Sequence, residues 1–274
     1  MRIKHSFGFN AKRTNLINFL DDNNIRYKRD QILITFDIYE NNTLFTEVKK
    51  IMNNNNLTSF SEIIFTTNEI LAARWLSVRS KWRWEYPQPE DDYMSITYND
   101  SDFCDKCGRG LKQQDSFYLK KEPKWGSRQF VQPFWVEDEL FVRNKTAEEL
   151  KDIGLRGLSF LPVKQYKTKK ELLTIKQMNI DTILDEKLLF DEGDINETII
   201  CPKCGKTKYI LFGHTILKAK EESLKKYSVD ILKTKDIFGA GLMAARVILI
   251  SYKFARIILE KKWKNLVLEP VKLV

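Results

Sequence analysis

The chain has 274 residues, 43% of them hydrophobic, with a net charge of +9. That length can bury a substantial core and predicts two domains, or one domain with a large extension. No apolar run reaches the roughly 18–20 residues of a membrane-spanning helix, because the nearest, Val247–Ile250 with Phe254–Leu259, is interrupted by Tyr252, Lys253 and Arg256. No signal peptide is recognised, so a soluble cytoplasmic protein with reduced thiols is expected. The charge is uneven: residues 1–100 carry 13 basic and 13 acidic side chains, residues 101–200 carry 17 and 18, and residues 201–274 carry 16 and 6.

The segment from Met1 to Thr66 predicts a regular succession of elements. Alternation from Ile3 to Phe9 predicts a strand, and Leu16, Ile17, Phe19 and Leu20 fall on one helical face before the turn-forming run Asp21–Asn24. Strands are predicted at 25–28 and 32–38, a helix over 44–52 and a strand over 62–65, the order βαββαβ of a ferredoxin-like sandwich. Thr66 with Glu69 forms a capping-box pattern. It predicts a longer helix with apolar positions at Ile70, Leu71, Ala73, Trp75 and Val78. The segment Arg79–Tyr86 alternates basic residues with Trp82 and Trp84. Those rings could stack on single-stranded bases or form a buried face of an extended segment. Pro87, Pro89 and the acids Glu90, Asp91 and Asp92 mark a linker. The predicted domains are therefore a ferredoxin-like α+β domain with an extra helix at 1–90 and a second α+β domain at 98–274.

The second part opens on the most informative motif. Cys104-Asp105-Lys106-Cys107-Gly108 and Cys201-Pro202-Lys203-Cys204-Gly205 contain all four cysteines of the chain. A two-residue gap lets both sulfurs of a tight turn face one ion, and a structural zinc site needs four such ligands. Two separate sites would need four more ligands, whereas the chain has only two histidines, His5 and His214. One shared site formed by Cys104, Cys107, Cys201 and Cys204 and holding one structural zinc ion is predicted, with a redox dithiol or disulfide pair as the rival.

The span between the knuckles is explained by a duplication. An offset of 108 aligns Leu140–Lys164 with Ile248–Lys272 without gaps, placing Ala147 on Ala255, Leu158 on Leu266 and Pro162-Val163-Lys164 on Pro270-Val271-Lys272. Two repeats, 98–165 and 199–274, are expected to face each other, each giving one knuckle to a pseudo-symmetric site. Residues 166–198 read as a connector with a basic start and an acidic end.

Other chemistry is weakly signalled. Gly205-Lys206-Thr207 imitates the end of a phosphate-binding loop, but Ile200 stands where the first glycine belongs. Gly239-Ala240-Gly241-Leu242-Met243-Ala244 fits a loose dinucleotide pattern without a convincing preceding strand. His214 has no catalytic partner nearby in sequence and reads as structural. Asp91-Asp92 and Glu137-Asp138-Glu139 lack metal or acid/base spacing and read as surface. No enzyme is expected.

The paired CxxCG knuckles, with the chain ending Leu266-Val267-Leu268-Glu269-Pro270-Val271, resemble the double-CxxCG motif proteins, a paralogous group prominent in myxobacteria that includes immunity proteins of swarm-inhibition toxin systems. The resemblance covers about residues 98–274. It implies a non-catalytic cytoplasmic immunity protein that binds and neutralises a cognate bacterial toxin, with the four cysteines as metal ligands. Immunity proteins against nuclease toxins are often acidic, whereas this chain is basic in its last quarter, so either the toxin is not a nuclease or Asp91-Asp92 and Glu137 to Glu139 make the contact. The alternative is a nucleic-acid-binding zinc protein that uses the basic C-terminal region. No membrane partner is expected.

Overall fold

Alternation places His5, Phe7 and Phe9 of β1 (Arg2–Asn10) on one buried face, against which the helices of the N-terminal segment close. The computed structural model describes residues 1–274, and residues 1–66 with 212–215 form one compact unit. Its elements are β1, α1 (Thr14–Asp22), β2 (Tyr27–Arg29), β3 (Leu33–Tyr39), α2 (Phe45–Asn54) and β4 (Ser59–Ile64). The sheet order is β2-β3-β1-β4, every pair antiparallel. Leu16, Ile17 and Leu20 of α1 and Val48 and Met52 of α2 share one core with Phe7, Phe9, Ile34 and Phe36, so both helices cover the same face.

The second unit comprises residues 67–211 and 216–274. It opens with α3 (Thr67–Ala72) and β5 (Trp75–Ser80), then α4 (Tyr93–Thr97), β6 (Tyr98–Asn99), β7 (Lys112–Gln113), β8 (Tyr118–Leu119) and β9 (Phe130–Val131). A strand–helix–strand segment follows: β10 (Leu140–Arg143), α5 (Asn144–Ile153) and β11 (Ser159–Gln165). Next come β12 (Glu171–Asn179), β13 (Ile195–Ile200), β14 (Thr207–Leu211), β15 (Lys218–Ala219), α6 (Glu221–Lys225) and β16 (Ile231–Lys233). A second strand–helix–strand segment, β17 (Ile248–Ser251), α7 (Tyr252–Glu260) and β18 (Leu266–Pro270), precedes β19 (Lys272–Leu273). Two larger sheets result, β8-β11-β12-β10-β9 and β16-β17-β5-β18.

A central core draws on both sheets and on α5 and α7, with Leu76, Val78, Leu140, Met178, Ile250 and Phe254 among its members. The outer face of each sheet has its own core. One contains Phe117, Val131, Phe141, Val163 and Ile175, and the other contains Trp75, Leu217, Leu232, Leu249 and Val271. Helix ends show local causes: Ser251 caps α7 by accepting from Phe254 N at 3.3 Å, and Gly154 ends α5 at φ 68°, a left-handed conformation that favours glycine.

The protein is thus mixed α+β, as the sequence pattern predicts, with differences of detail. The predicted helix from Thr66 to Val78 stops at Ala72, and Trp75–Ser80 is instead a central strand of the four-stranded sheet. Tertiary pairing overrides local propensity there, since aromatic and β-branched residues fit a buried strand. The unit boundary accordingly falls at 66/67 and not near 90. The proline segment is no free linker: Pro87 and Gln88 are buried, and Gln88 N donates to Tyr118 O at 2.8 Å. The expected connector 166–198 contains β12, a central strand of the five-stranded sheet.

Phe254 is 2% exposed in the central core, so Phe254→Ala should destabilise the second unit by about 3–5 kcal/mol, read as a lowered urea midpoint with an unchanged denaturant slope.

Candidate metal centre and the adjoining cleft

Each CxxCG turn is built by the same two backbone bonds. Cys104 N donates to Arg109 O at 2.8 Å and Gly108 N to Cys104 O at 2.8 Å; in the second turn Cys201 N donates to Lys206 O at 3.0 Å and Gly205 N to Cys201 O at 2.9 Å. The hairpin β6/β7 carries the first turn and β13/β14 the second. Gly108 has φ +76°, and a Cβ there would lie 1.8 Å from Leu242 O, so both its conformation and its surroundings require glycine.

The turns bring all four cysteines together. Their sulfurs lie within 4.8 Å of one another, with Cys104–Cys201 and Cys107–Cys204 each 3.6 Å apart. Four sulfurs about 2.3 Å from a central ion in a tetrahedron stand about 3.8 Å apart. The cluster can hold one metal ion, and the four thiols are free. Besides the sulfurs, the turns are tied to each other by Lys203 Nζ to Asp105 Oδ1 at 2.9 Å and by Arg109 Nη1 donating to Thr207 O at 2.8 Å.

The electrostatics favour thiolates at the first cysteine of each turn. Backbone amides of Cys204 and Lys203 hold the Cys201 thiol down to about 6, and amides of Lys106 and Cys107 lower that of Cys104. Burial pushes the Cys107 thiol up to about 12. A bound cation reverses that penalty by taking the thiolate as ligand. Beneath the turns lies Lys208, 1% exposed, whose Nζ donates to Cys107 O at 2.8 Å, Gly241 O at 2.6 Å and Met243 O at 2.8 Å. In the sequence Lys208 is only one of the 16 basic residues of 201–274.

The Gly239–Ala244 segment therefore packs around the first knuckle and leads to β17 with no helix directly after the glycines, so it lacks the strand–loop–helix geometry of a dinucleotide site. His214 Nδ1 is 3.1 Å from Ser61 Oγ and its ring stacks on Phe212, all within the first unit. His5 has an unanticipated setting: Nδ1 is 3.0 Å from Ser59 Oγ and Nε2 2.9 Å from Glu40 Oε1, with the ring 4.8 Å from Phe45. Both partners are distant in sequence, and the network ties β1 to the start of β4 and the residue after β3.

A cleft of about 1270 Å³ adjoins the first knuckle. Both acidic clusters noted in the sequence reach it, through Asp91 and through Glu137, Asp138 and Glu139, alongside Arg109 and Arg246. Its apolar rim includes Trp135, Met94, Ile183, Leu242 and Met243, all exposed. At its floor Glu139 and Lys233, 8% and 7% exposed, form an ion pair, and Gln177 Nε2 donates to Glu139 Oε2 at 3.2 Å. Burial pushes the Glu139 carboxyl up to about 7, against the opposing pull of Lys233. Trp82 and Trp84 are not an exposed base-stacking strip. They are half-buried against the outer core of the five-stranded sheet, and Trp82 stands edge-on to Trp125 at 5.5 Å.

No protein-family model matches the chain, and no curated protein matches it.

Two outcomes follow from this geometry. Cys104→Ser and Cys201→Ser should each lose the whole metal content and lower the same thermal transition, as measured by elemental analysis and calorimetry; retention of half the metal in either variant would contradict a shared site. The second outcome concerns Glu139, whose carboxyl is raised above its usual 4.5 to about 7. The folded state therefore binds more protons than the unfolded state in that window. Stability should fall as pH rises from about 4.5 to about 7, and Glu139→Gln should flatten the slope in urea titrations run across that range.

Proposed function

We propose that the chain is a non-catalytic cytoplasmic binding protein, an immunity protein that occludes a cognate bacterial toxin and holds one structural zinc ion. Four sulfur ligands gathered within 4.8 Å of one another suit zinc, and a donor set that fills all four positions holds segments together rather than presenting an open coordination site. The resemblance of the paired CxxCG turns to the double-CxxCG proteins supplies the immunity reading. In the same proposal the first unit is a ferredoxin-like sandwich, supported by its βαββαβ order and antiparallel β2-β3-β1-β4 sheet.

The cleft is the observation that carries the binding role. Its rim sets Trp135, Tyr93 and Met243 among Asp91, Asp138, Arg109 and Arg246. Aromatic, methionine and arginine side chains around a recess are the composition of protein–protein hot spots. Carboxylates on that rim oppose a phosphate backbone and favour a partner loop bearing basic side chains.

Nucleic-acid binding through the C-terminal lysines has less support. Lys218 pairs with Asp191 and Asp194, Lys220 and Lys226 with Glu186, Lys225 with Glu221, and Lys261 with Glu149. Much of the basic excess is therefore met by carboxylates, most of them from elsewhere in the fold.

The test is a tagged pull-down of the full chain from its native cells before and after nuclease treatment. One protein should survive nuclease at near-equal amount, and Trp135→Ala should weaken its capture about thirtyfold, the loss of about 2 kcal/mol typical of an aromatic hot spot. Bound material that disappears with nuclease would transfer the function to nucleic acid.

A further inference from the structure

The two larger sheets repeat each other bond by bond, and the repeat takes in strands that neither strand–helix–strand segment contains. β10 begins at Leu140 and β17 at Ile248, two positions that the internal alignment equates. In the first sheet, Leu140 and Phe160 flank Met178 of β12 from its two sides. In the second, their aligned counterparts Ile248 and Leu268 flank Val78 of β5 in the same way. Val78 and Met178 therefore occupy one position of one pattern.

The correspondence continues along the chain from that position. Trp84 N donates to Gln132 O and Leu184 N to Lys233 O; then Gln88 N donates to Tyr118 O and Leu189 N to Lys218 O, both at 2.8 Å. The parallel pair of Lys164 with Tyr118 is matched by Lys272 with Lys218. Left-handed residues recur at the same offset: Gly154 and Lys262 at φ 68° and 52°, Gly157 and Asn265 at φ 81° and 73°. The outer cores match as well, with Phe141 for Leu249, Val163 for Val271 and Ile175 for Trp75. Along the central strands the register of the two sheets is the same residue for residue, where a slip of one would turn every side chain to the other face. Beyond them the second pass carries one extra residue, Leu189 standing eleven after Met178 where Gln88 stands ten after Val78.

In chain order the pattern runs central strand, knuckle, edge strands, strand–helix–strand, and it runs twice. β5 opens the first pass and β12 the second. Yet β5 completes the sheet of the second pass, and β12 completes the sheet of the first. We propose that residues 75–274 are two copies of one unit that have exchanged their opening strands, the single-chain counterpart of a strand-swapped dimer. The cysteine turns meet where the two copies face each other. Neither copy closes its sheet alone, so each is the other's obligate partner. The inference is independent of what the cleft binds.

The exposed turn at Lys167–Lys169 allows a direct test on the full chain. A recognition sequence for a specific protease is inserted between Lys167 and Thr168, the protein is cut, and the metal is removed with a chelator at micromolar protein. Exchanged strands should keep the halves as one 1:1 particle by light scattering, with or without metal. Separation into two folded halves on chelation would overturn the proposal, because metal would then be their only link.

A second measurement keeps the test decisive if chelation unfolds the protein. In the uncut, metal-loaded chain, Trp75→Ala should speed amide hydrogen exchange more than tenfold around residues 217–219, 231–233 and 248–251, and Ile175→Ala should do so around 117–119, 130–131 and 140–143. Loosening of each variant's own pass, with the other pass unchanged, would refute the exchange.

Discussion

The second unit is built by joining segments far apart in the chain: its sheets pair distant strands, and two distant turns bring Cys104 and Cys107 against Cys201 and Cys204. Closing a loop of about 100 residues costs the unfolded chain roughly 4–5 kcal/mol. The cysteine turns do not carry this alone. Asp105–Lys203 and Arg109–Thr207 join the same two turns, and the sheets beneath are already knitted across the chain. A divalent ion held by four thiolates would carry a net charge of −2. The Lys208 ammonium, buried among the carbonyls of Cys107, Gly241 and Met243, would offset that charge. The glycines at 239 and 241 belong to the same arrangement, since they shape the segment whose carbonyls hold Lys208.

Charge follows the same logic of distant segments completing one another. The segment 201–274 carries 16 basic and 6 acidic side chains, a block that in isolation reads as a site for polyanions. In the fold, Asp191 and Asp194 face Lys218, and Glu186 faces Lys220 and Lys226. The acidic end of the supposed connector is therefore a counter-charge of the basic quarter. Exposed pairs of this kind contribute little stability each; their larger effect is to flatten the potential that the linear sequence suggests.

Legibility divided along the same line. The cysteine cluster could be read from the sequence because its chemistry fixes ligand number and spacing, and the chain supplies four cysteines and only two histidines. The elements of the first unit could be read because their periodicities are clean, as in Phe7 and Phe9 of β1 or Leu16, Ile17 and Leu20 of α1. What escaped were the two central strands. Trp75–Ser80 follows a capping signal and reads locally as more helix, and Glu171–Asn179 lies between charged stretches. Each is stabilised by neighbours far away in sequence, β5 by β17 and β18 at the other end of the unit. No local pattern reports such a partner, and the three-residue spacing of the buried Leu172, Ile175 and Met178 in β12 imitates a helical face more than a strand. The His5 network and the floor of the cleft were hidden for the same reason.

Equivalent positions of the two passes also show where the unit has specialised. Gln132 in the first pass uses its amide on its own neighbourhood, accepting from Ser80 N at 2.8 Å and donating to Glu137 O at 2.9 Å. The matching position in the second pass is Lys233, which crosses to Glu139, and the position matching Glu139 is the apolar Val247. The ion pair thus exists once, on one side of a pattern that is otherwise repeated. Burying such a pair is no route to stability, because desolvation consumes most of the Coulombic gain and an apolar pair of similar volume packs as well or better. Stability therefore gives no reason for the two copies to differ at this point. The difference sits at the floor of the cleft whose rim carries Trp135, Asp138 and Arg246, the same cleft to which the proposed binding role is assigned.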